Sequence, residues 1–84
     1  MYEVELTDIA LKELGKLEKN LQERIVKTLE RIRIRPEPHL TKLVGDSTYR
    51  LRVGDYRLII DINKNKLILL VIKIGHRKNV YDNY

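Results

Sequence analysis

Residues 49–57 read YRLRVGDYR, two short basic segments on either side of a Gly-Asp pair, and most of what the sequence indicates about function is concentrated in this stretch. In the first segment apolar side chains alternate with Arg50 and Arg52, which predicts a strand with one apolar and one cationic face. The Gly-Asp pair predicts a two-residue hairpin turn of the type that has glycine first. A loop of only these two residues places Arg52 directly opposite Arg57.

The predicted pairing of Arg52 with Arg57 is unfavourable in itself. Like charges directly opposite each other destabilise an antiparallel pair, so a sheet built only for stability would avoid them. An anion between the two side chains removes this penalty, and a phosphate is the candidate whose oxygens match the guanidinium geometry. The same register pairs Val53 with Tyr56.

The length and composition predict one small soluble domain. The chain has 84 residues, enough for a single domain over residues 1–84 with one modest core. Its residues are 43% hydrophobic and 35% charged, as is typical of a folded protein. No apolar run approaches the roughly 20 residues of a membrane span, and the N-terminus has no secretory signal pattern. Cysteine is absent, so we expect a cytoplasmic protein without disulfides or thiolate metal sites.

The net charge of +5 comes entirely from the C-terminal part of the chain. Residues 1–49 contain nine Lys or Arg and nine Asp or Glu, whereas residues 50–84 contain eight and three. A positive excess that is confined to the predicted sheet favours a polyanion as the partner over an ordinary solvated surface.

The N-terminal half predicts a strand followed by a helical hairpin. Residues 2–6 alternate apolar and acidic side chains, and Thr7 is then expected to cap the first helix. The second helix is predicted to begin near Asn20, with Glu23 completing a capping box, and to end at Pro36. Its basic side chains are expected to face outward as a solvated surface: Lys19, Arg24, Lys27, Arg31, Arg33 and Arg35.

Three strands follow an irregular connection over residues 36–48. They are predicted at residues 48–53, 56–62 and 66–75, and the last, KLILLVIKIG, is apolar on both faces as expected of a central strand. The order β-α-α-β-β-β predicts an α+β fold, a small antiparallel sheet with the N-terminal helical hairpin packed on one face. The open face would carry Arg50, Arg52 and Arg57.

The segment after the last strand carries polar side chains that could act together with these arginines. Arginines stabilise the charge that builds on a phosphodiester in the transition state, and RNA supplies its own nucleophile, the 2′-hydroxyl. Only groups for proton transfer are then needed. No metal site, protein nucleophile motif or cofactor loop is predicted. We expect four residues to leave the sheet near one edge of the open face and to help surround one phosphate: His76, Arg77, Lys78 and Tyr81.

The same residues resemble a known family. The runs YRLRVGDYRLII, KLVGD and IGHRKNVY resemble the RelE branch of the RelE/ParE superfamily of toxins from toxin–antitoxin pairs, and the likeness covers essentially the whole chain. It implies a compact microbial RNase-like fold and an endoribonuclease that cuts translated mRNA in the ribosomal A site. The implied reaction is 2′-hydroxyl attack, which leaves a 2′,3′-cyclic phosphate and a 5′-hydroxyl end. A small RelB-like antitoxin that covers the basic face in a hetero-oligomer is also implied.

The resemblance implies a role for three residues in particular. Arg57 matches the arginine that grips the scissile phosphate in the family. Arg77 matches a second arginine, which is thought to help stabilise the leaving group. Tyr81 matches a C-terminal tyrosine that stacks on a substrate base and has been proposed to assist catalysis.

One departure from the family pattern bears on proton transfer. Arg50 and Arg52 stand where the best-known members have two lysines. Because an arginine stays protonated at any reasonable pH, these side chains can bind substrate and stabilise charge but cannot act as a base. We therefore expect His76 to be the general base, with Tyr81 as the second choice, and Lys78 to bind substrate.

Two other functions stay open. A ParE-type toxin has the same fold but poisons DNA gyrase, and that branch generally lacks the full set of Arg57, Arg77 and Tyr81. A catalytically weak domain that only binds RNA or the ribosome would also fit, because both family lysines are replaced. Either toxin class predicts an adjacent gene for a short, acidic antitoxin.

Overall fold

The computed structural model of the chain describes residues 1–43, 45 and 47–76. It begins with a strand, continues with two helices and a single 3₁₀ turn, and ends with four further strands. This order confirms the predicted α+β fold and adds one two-residue strand that the sequence does not predict. The bounds are β1 Glu3–Leu6, α1 Asp8–Gly15, α2 Lys19–Ile32, the 3₁₀ turn Glu37–His39, β2 Thr41–Lys42, β3 Thr48–Val53, β4 Tyr56–Asn63 and β5 Ile68–His76.

The two helices begin differently. Thr7 caps α1 as predicted, because its hydroxyl oxygen accepts a hydrogen bond from the Ala10 N–H at 3.1 Å. The capping box that was expected for α2 between Asn20 and Glu23 is wrong. Glu18 is the N-cap, without a side-chain cap, since its carbonyl accepts the first helical hydrogen bonds and draws Asn20 into the first turn.

The strands form one five-stranded sheet in the order β1-β5-β4-β3-β2. All neighbours are antiparallel except β1 and β5, which run parallel, so the sheet is mixed rather than purely antiparallel. β5 has a partner on each side, which confirms it as an internal strand. β2 pairs only with Tyr49 and Arg50, so it covers only the first part of the outer edge of β3.

The core lies between the helices and one face of the sheet. α2 contributes Ile25, Leu29 and Ile32, the apolar stripe that the sequence predicts. Each large side chain buried in this way contributes about 1.5–3 kcal/mol through the hydrophobic effect. A smaller apolar cluster lies on the other face of the sheet and consists of Leu43, Ile59 and Ile72.

No helix in the part of the chain that the structure describes is long and apolar enough to cross a membrane.

Candidate functional site

The β3–β4 hairpin has the register that the sequence predicts. Arg52 pairs with Arg57, and Val53 pairs with Tyr56, which leaves only two residues in the turn. The first of them, Gly54, has a φ of +60°, a conformation that side-chain-bearing residues rarely adopt and glycine adopts at no steric cost. The fold therefore accepts a directly opposed pair of like charges.

Three arginines of this hairpin lie on the sheet face opposite the helices. Strand side chains alternate between faces, and the neighbouring residues Leu51 and Leu58 are buried in the helix-facing core. Arg52 is exposed, whereas the other two arginines are half-buried and make further interactions within the chain. We call this surface the arginine face, after Arg50, Arg52 and Arg57.

One row of paired residues crosses the arginine face near the hairpin turn. Arg57 on β4 lies between Arg52 on β3 and Gly75 on β5. The Nε atom of Arg57 is buried, so its guanidinium group is held close to the sheet surface. Because glycine has no side chain, the two guanidinium groups are the polar groups that this row presents. They can bind and neutralise an anion, but neither can accept a proton.

Lys73 is a further cation of the arginine face, and the sequence analysis does not single it out. It pairs with Ile59, whose partner on the other side is Arg50, so this second row carries a positive charge on either side of Ile59. The available signal is the single charged residue within the apolar run KLILLVIKIG. Sequence alternation alone does not show that this lysine shares a face with the hairpin arginines.

His76 ends β5 with its ring on the helix side of the sheet. It pairs with Tyr56, and the two rings meet edge to face with centroids 5.4 Å apart and an interplanar angle of 78°. Tyr56 packs against the helix-facing core, whereas the residue that pairs with Arg57 is Gly75. The structure therefore does not bring the His76 ring into the arginine face. The other predicted C-terminal site residues lie outside the described residues: Arg77, Lys78 and Tyr81.

A second cationic feature is a groove of about 460 Å³ between α2 and the edge of β3. Its lining cations are Arg24, Lys27 and Arg31 on the helix and Arg52 on the sheet, and the Glu23 carboxylate also lines it. The helix residues recur at intervals of three and four, which places them on one stripe of α2. The sequence pattern alone predicts that they form a solvated surface, whereas the fold brings them into one groove with an arginine of the hairpin.

Within residues 1–43, 45 and 47–76, no three His, Asp or Glu side chains come together in a way that could hold a metal ion. What the described residues do bring together is positive charge, on the arginine face and in the adjoining groove.

Comparison with known proteins identifies the family. Residues 4–81 match the family described as ParE toxin of type II toxin–antitoxin system, parDE. The chain is 31% identical over 86 residues to an Escherichia coli protein named "Putative RelE-like toxin protein", covering 96% of this chain and 90% of that protein.

Solved structures agree with the sequence match. The fold is similar to a chain of the archaeal RelE–RelB complex from Pyrococcus horikoshii OT3, with a TM-score of 0.82 and 27% identity over 94% of this chain and 98% of that chain. A chain of the intact E. coli RelBE toxin–antitoxin complex gives a TM-score of 0.78 and 28% identity, covering 90% of this chain and 96% of that chain. The chain, with its mixed sheet, helical hairpin and cationic β3–β4 hairpin, belongs to the RelE/ParE superfamily of toxins from type II toxin–antitoxin systems.

Proposed function

We propose that this toxin is an endoribonuclease that cuts translated mRNA in the ribosomal A site and thereby inhibits translation. The observation that carries the proposal is the opposed pair of Arg52 and Arg57 on the arginine face. Two like charges held opposite each other favour a bound anion, and guanidinium groups match the oxygens of a phosphate. The similarity to RelE toxins makes an RNA phosphate the anion of choice.

The proposed reaction uses the nucleophile of the substrate itself. The 2′-oxygen loses its proton and attacks the adjacent phosphorus, the bond from phosphorus to the 5′-oxygen breaks, and the 5′-oxygen takes up a proton. The products are a 2′,3′-cyclic phosphate and a 5′-hydroxyl end. Positive charge from arginine side chains stabilises the phosphorane-like transition state, so the scheme needs neither a metal nor a cofactor.

The arginines have the binding and charge-stabilising roles in this scheme. Arg57 holds the scissile phosphate, and Arg50 and Arg52 add charge from the neighbouring strand. Arg77 stabilises the leaving group, and Lys78 binds the RNA backbone. The roles of Arg57 and Arg77 rest on their match to the family pattern. The roles of Arg50 and Arg52 rest on the face that they share with Arg57, and that of Lys78 rests on its position next to Arg77 in the sequence.

Proton transfer needs a group that can gain or lose a proton near neutral pH or through a hydrogen-bond relay. Tyr81 and His76 are the proposed groups. Because the His76 ring packs against Tyr56 on the other side of the sheet, Tyr81 is the better proposal, and His76 would have to turn its ring around the strand end to take part.

The proposed partners are the ribosome with its mRNA and a RelB-like antitoxin, which places the toxin in the cytoplasm. The matched structures include RelE–RelB complexes, and an acidic antitoxin that covers the arginine face would neutralise it in a hetero-oligomer. Such a complex should dissociate partly at high salt, since charge contacts on a surface are screened. A short acidic reading frame next to the toxin gene is the cheapest check.

Induced expression followed by primer-extension mapping of a translated mRNA tests the proposed activity. The wild-type toxin should produce cuts within translated codons that disappear when translation initiation is blocked. Arg57→Gln should abolish the cuts, whereas Lys66→Gln, which removes a charge at the far end of β4, should leave them unchanged. Cuts of equal strength with Arg57→Gln would remove the basis of the assignment.

The alternative is a ParE-type toxin that poisons DNA gyrase, and the family description that the chain matches favours it. In that case induction gives double-strand DNA breaks and a DNA-damage response without mRNA cuts. A third result, salt-dependent ribosome binding without cuts or DNA damage, would identify a binding domain that has lost catalysis with the replacement of both family lysines.

A further inference from the structure

The last strand of the sheet contains a β-bulge close to the arginine face. Ile59 on β4 pairs with Lys73, but the next residue, Ile60, pairs with Val71, so Ile72 has no partner of its own in the ladder. A bulge of this kind places two residues of one strand opposite one residue of the other and re-aims the side chains near it.

The burial pattern shows where the bulge aims these side chains. Val71 and Ile74 both lie in the helix-facing core, although they are three residues apart and would face opposite ways in a regular strand. Ile72 packs with Ile59 on the other face. Lys73, which pairs with Ile59, therefore also projects onto the arginine face, where it is half-buried.

Two side chains of the helical hairpin region hold the bulge in place. The Thr7 hydroxyl donates a hydrogen bond to the carbonyl oxygen of Ile72 at 2.7 Å, and the Glu13 carboxylate accepts one from the N–H of Ile74 at 2.7 Å. These bonds lie on either side of Lys73. Because β1 pairs with β5 only as far as Val71, these bonds satisfy backbone groups of β5 beyond the end of β1 and tie the bulged segment to the region of α1.

The position of Lys73 relative to the arginines follows from the register. Lys73 lies two residue pairs from the row of Arg57 and Gly75, which is the next row on the same face, and across Ile59 from Arg50. Diagonal neighbours in adjacent strands are about 7–8 Å apart, and strands are spaced at about 4.8 Å, so the long side chains of Arg57 and Lys73 can reach the same group. Lys73 is half-buried next to the apolar cluster around Ile59, as expected of a lysine whose aliphatic stem covers apolar surface while its ammonium group reaches solvent.

We propose that Lys73 is a substrate-contacting residue of this toxin, whose ammonium group binds the RNA backbone beside the phosphate that Arg57 holds. The inference rests on the endoribonuclease function proposed above. Lys73 adds a primary amine from β5 to the site, whereas the cations that β3 contributes are both arginines. The two cation types differ in chemistry, since an ammonium group is a compact point charge with three donors and the guanidinium group is a planar fork.

Salt-dependent binding to programmed ribosomes tests the proposal independently of cleavage. The probe is a ribosome whose A-site mRNA codon carries 2′-O-methyl groups, which block the nucleophile and keep the RNA intact. Binding is measured at several salt concentrations for the wild type, Lys73→Met, Lys73→Arg and the control Lys66→Met. Loss of one phosphate contact should lower the slope of log affinity against log salt by about 0.7 and weaken binding about tenfold.

We expect Lys73→Met to show both losses, and Lys73→Arg and the control to keep the wild-type slope. Single-turnover cleavage of unmodified mRNA should slow in Lys73→Met accordingly. An unchanged slope in Lys73→Met would overturn the proposal. If Lys73→Arg loses as much slope and affinity as Lys73→Met, the proposal is also overturned. Arginine keeps the positive charge, so such a result would show that the lysine acts by maintaining the bulge and not by its charge. If the wild-type toxin neither binds the programmed ribosome nor cuts the mRNA, the proposed endoribonuclease function is wrong, and the role of Lys73 that rests on it is wrong as well.

Discussion

Replacing Arg52 by glutamine should stabilise the folded toxin at low salt, although it removes a residue of the proposed binding site. In the β3–β4 hairpin Arg52 lies directly opposite Arg57, one pair away from the two-residue turn. Pairs alternate along an antiparallel ladder, and the pair that closes a two-residue turn is hydrogen-bonded. The next pair is therefore the closer kind, with Cα atoms about 4.5 Å apart.

The size of the effect follows from Coulomb's law. Two unit charges about 6 Å apart in a medium with the dielectric constant of water repel each other by about 0.7 kcal/mol. This figure lies within the range of about 0.2–1 kcal/mol that is typical of cross-strand pairs. For a domain of this length, about 1 kcal/mol corresponds to about 4–8 °C in Tm, so Arg52→Gln should raise Tm by about 3–5 °C.

Thermal unfolding followed by circular dichroism at low salt and at 1 M NaCl measures this difference. Lys66→Gln is the matched control, because it lowers the net charge equally from an exposed turn far from the hairpin. At 1 M salt the screening length falls to about 3 Å, so the advantage of Arg52→Gln should disappear. Sulfate at low ionic strength should stabilise the wild type more than Arg52→Gln. When sulfate is present at ten times its dissociation constant, its binding adds about 1.4 kcal/mol to the free energy of unfolding of the wild type.

Two results would refute the electrostatic reasoning. If Arg52→Gln is less stable than the wild type at low salt, the opposed arginines are not a net cost. If sulfate stabilises the wild type and Arg52→Gln equally, Arg52 and Arg57 do not form an anion site. The opposed arginines would then no longer support the proposed function.

Three further predictions concern the elements that hold the site together. Glu13→Ala should lower the free energy of unfolding by about 1–3 kcal/mol in urea titrations, because it leaves the Ile74 N–H without its acceptor, whereas Glu13→Gln should keep most of the stability. Thr7→Ala should cost about 1–2 kcal/mol in the same assay, since it removes both the helix cap and the bond to β5, and Thr7→Ser should restore both. Leu67 has a φ of +56°, so Leu67→Asn should raise Tm in thermal unfolding, because asparagine adopts this conformation with less strain; a lower Tm would show that the leucine side chain contributes more than the strain costs.

Local signals predict the hairpin well because the hairpin is a local structure. The Gly-Asp pair and the alternation in YRLRVGDYR are sufficient to fix the turn, the register and the face of Arg50, Arg52 and Arg57. The same holds for Thr7, whose cap depends on residues three positions away. The apolar stripe of α2 is likewise read from its own periodicity.

Strand pairing between distant parts of the chain cannot be predicted from local sequence patterns. The parallel partnership of β1 with β5 joins residues more than sixty positions apart, as in the pair Glu3 and Ile68. Strand β2 has only two residues, Thr41 and Lys42, and no periodicity can be seen in so short a segment. For α2, the side chains Asn20 and Glu23 fit a capping box by spacing, but the N-cap is Glu18, two residues earlier.

The bulge in β5 explains why the candidate site differs from the prediction at the end of that strand. A shift of one residue in a strand moves every following side chain to the other face. In a regular strand that starts with Val71 against the helices, His76 would project onto the arginine face and Lys73 would point into the core. Because Ile72 is the extra residue of the bulge, Lys73 lies on the arginine face and His76 lies on the helix side instead. Thr7 and Glu13, which are distant in sequence, form hydrogen bonds to the backbone of this segment.

Free energy also favours the bulged strand over a regular one. Without the bulge, the charged end of Lys73 would project into the helix-facing core, where desolvation of the ammonium group costs free energy even beside the Glu13 carboxylate. With the bulge, Ile74 occupies this position in the helix-facing core, where it is 2% exposed. Lys73 then lies on the arginine face. The same one-residue insertion therefore completes the apolar core on one side of the sheet and adds a cation to the proposed RNA site on the other.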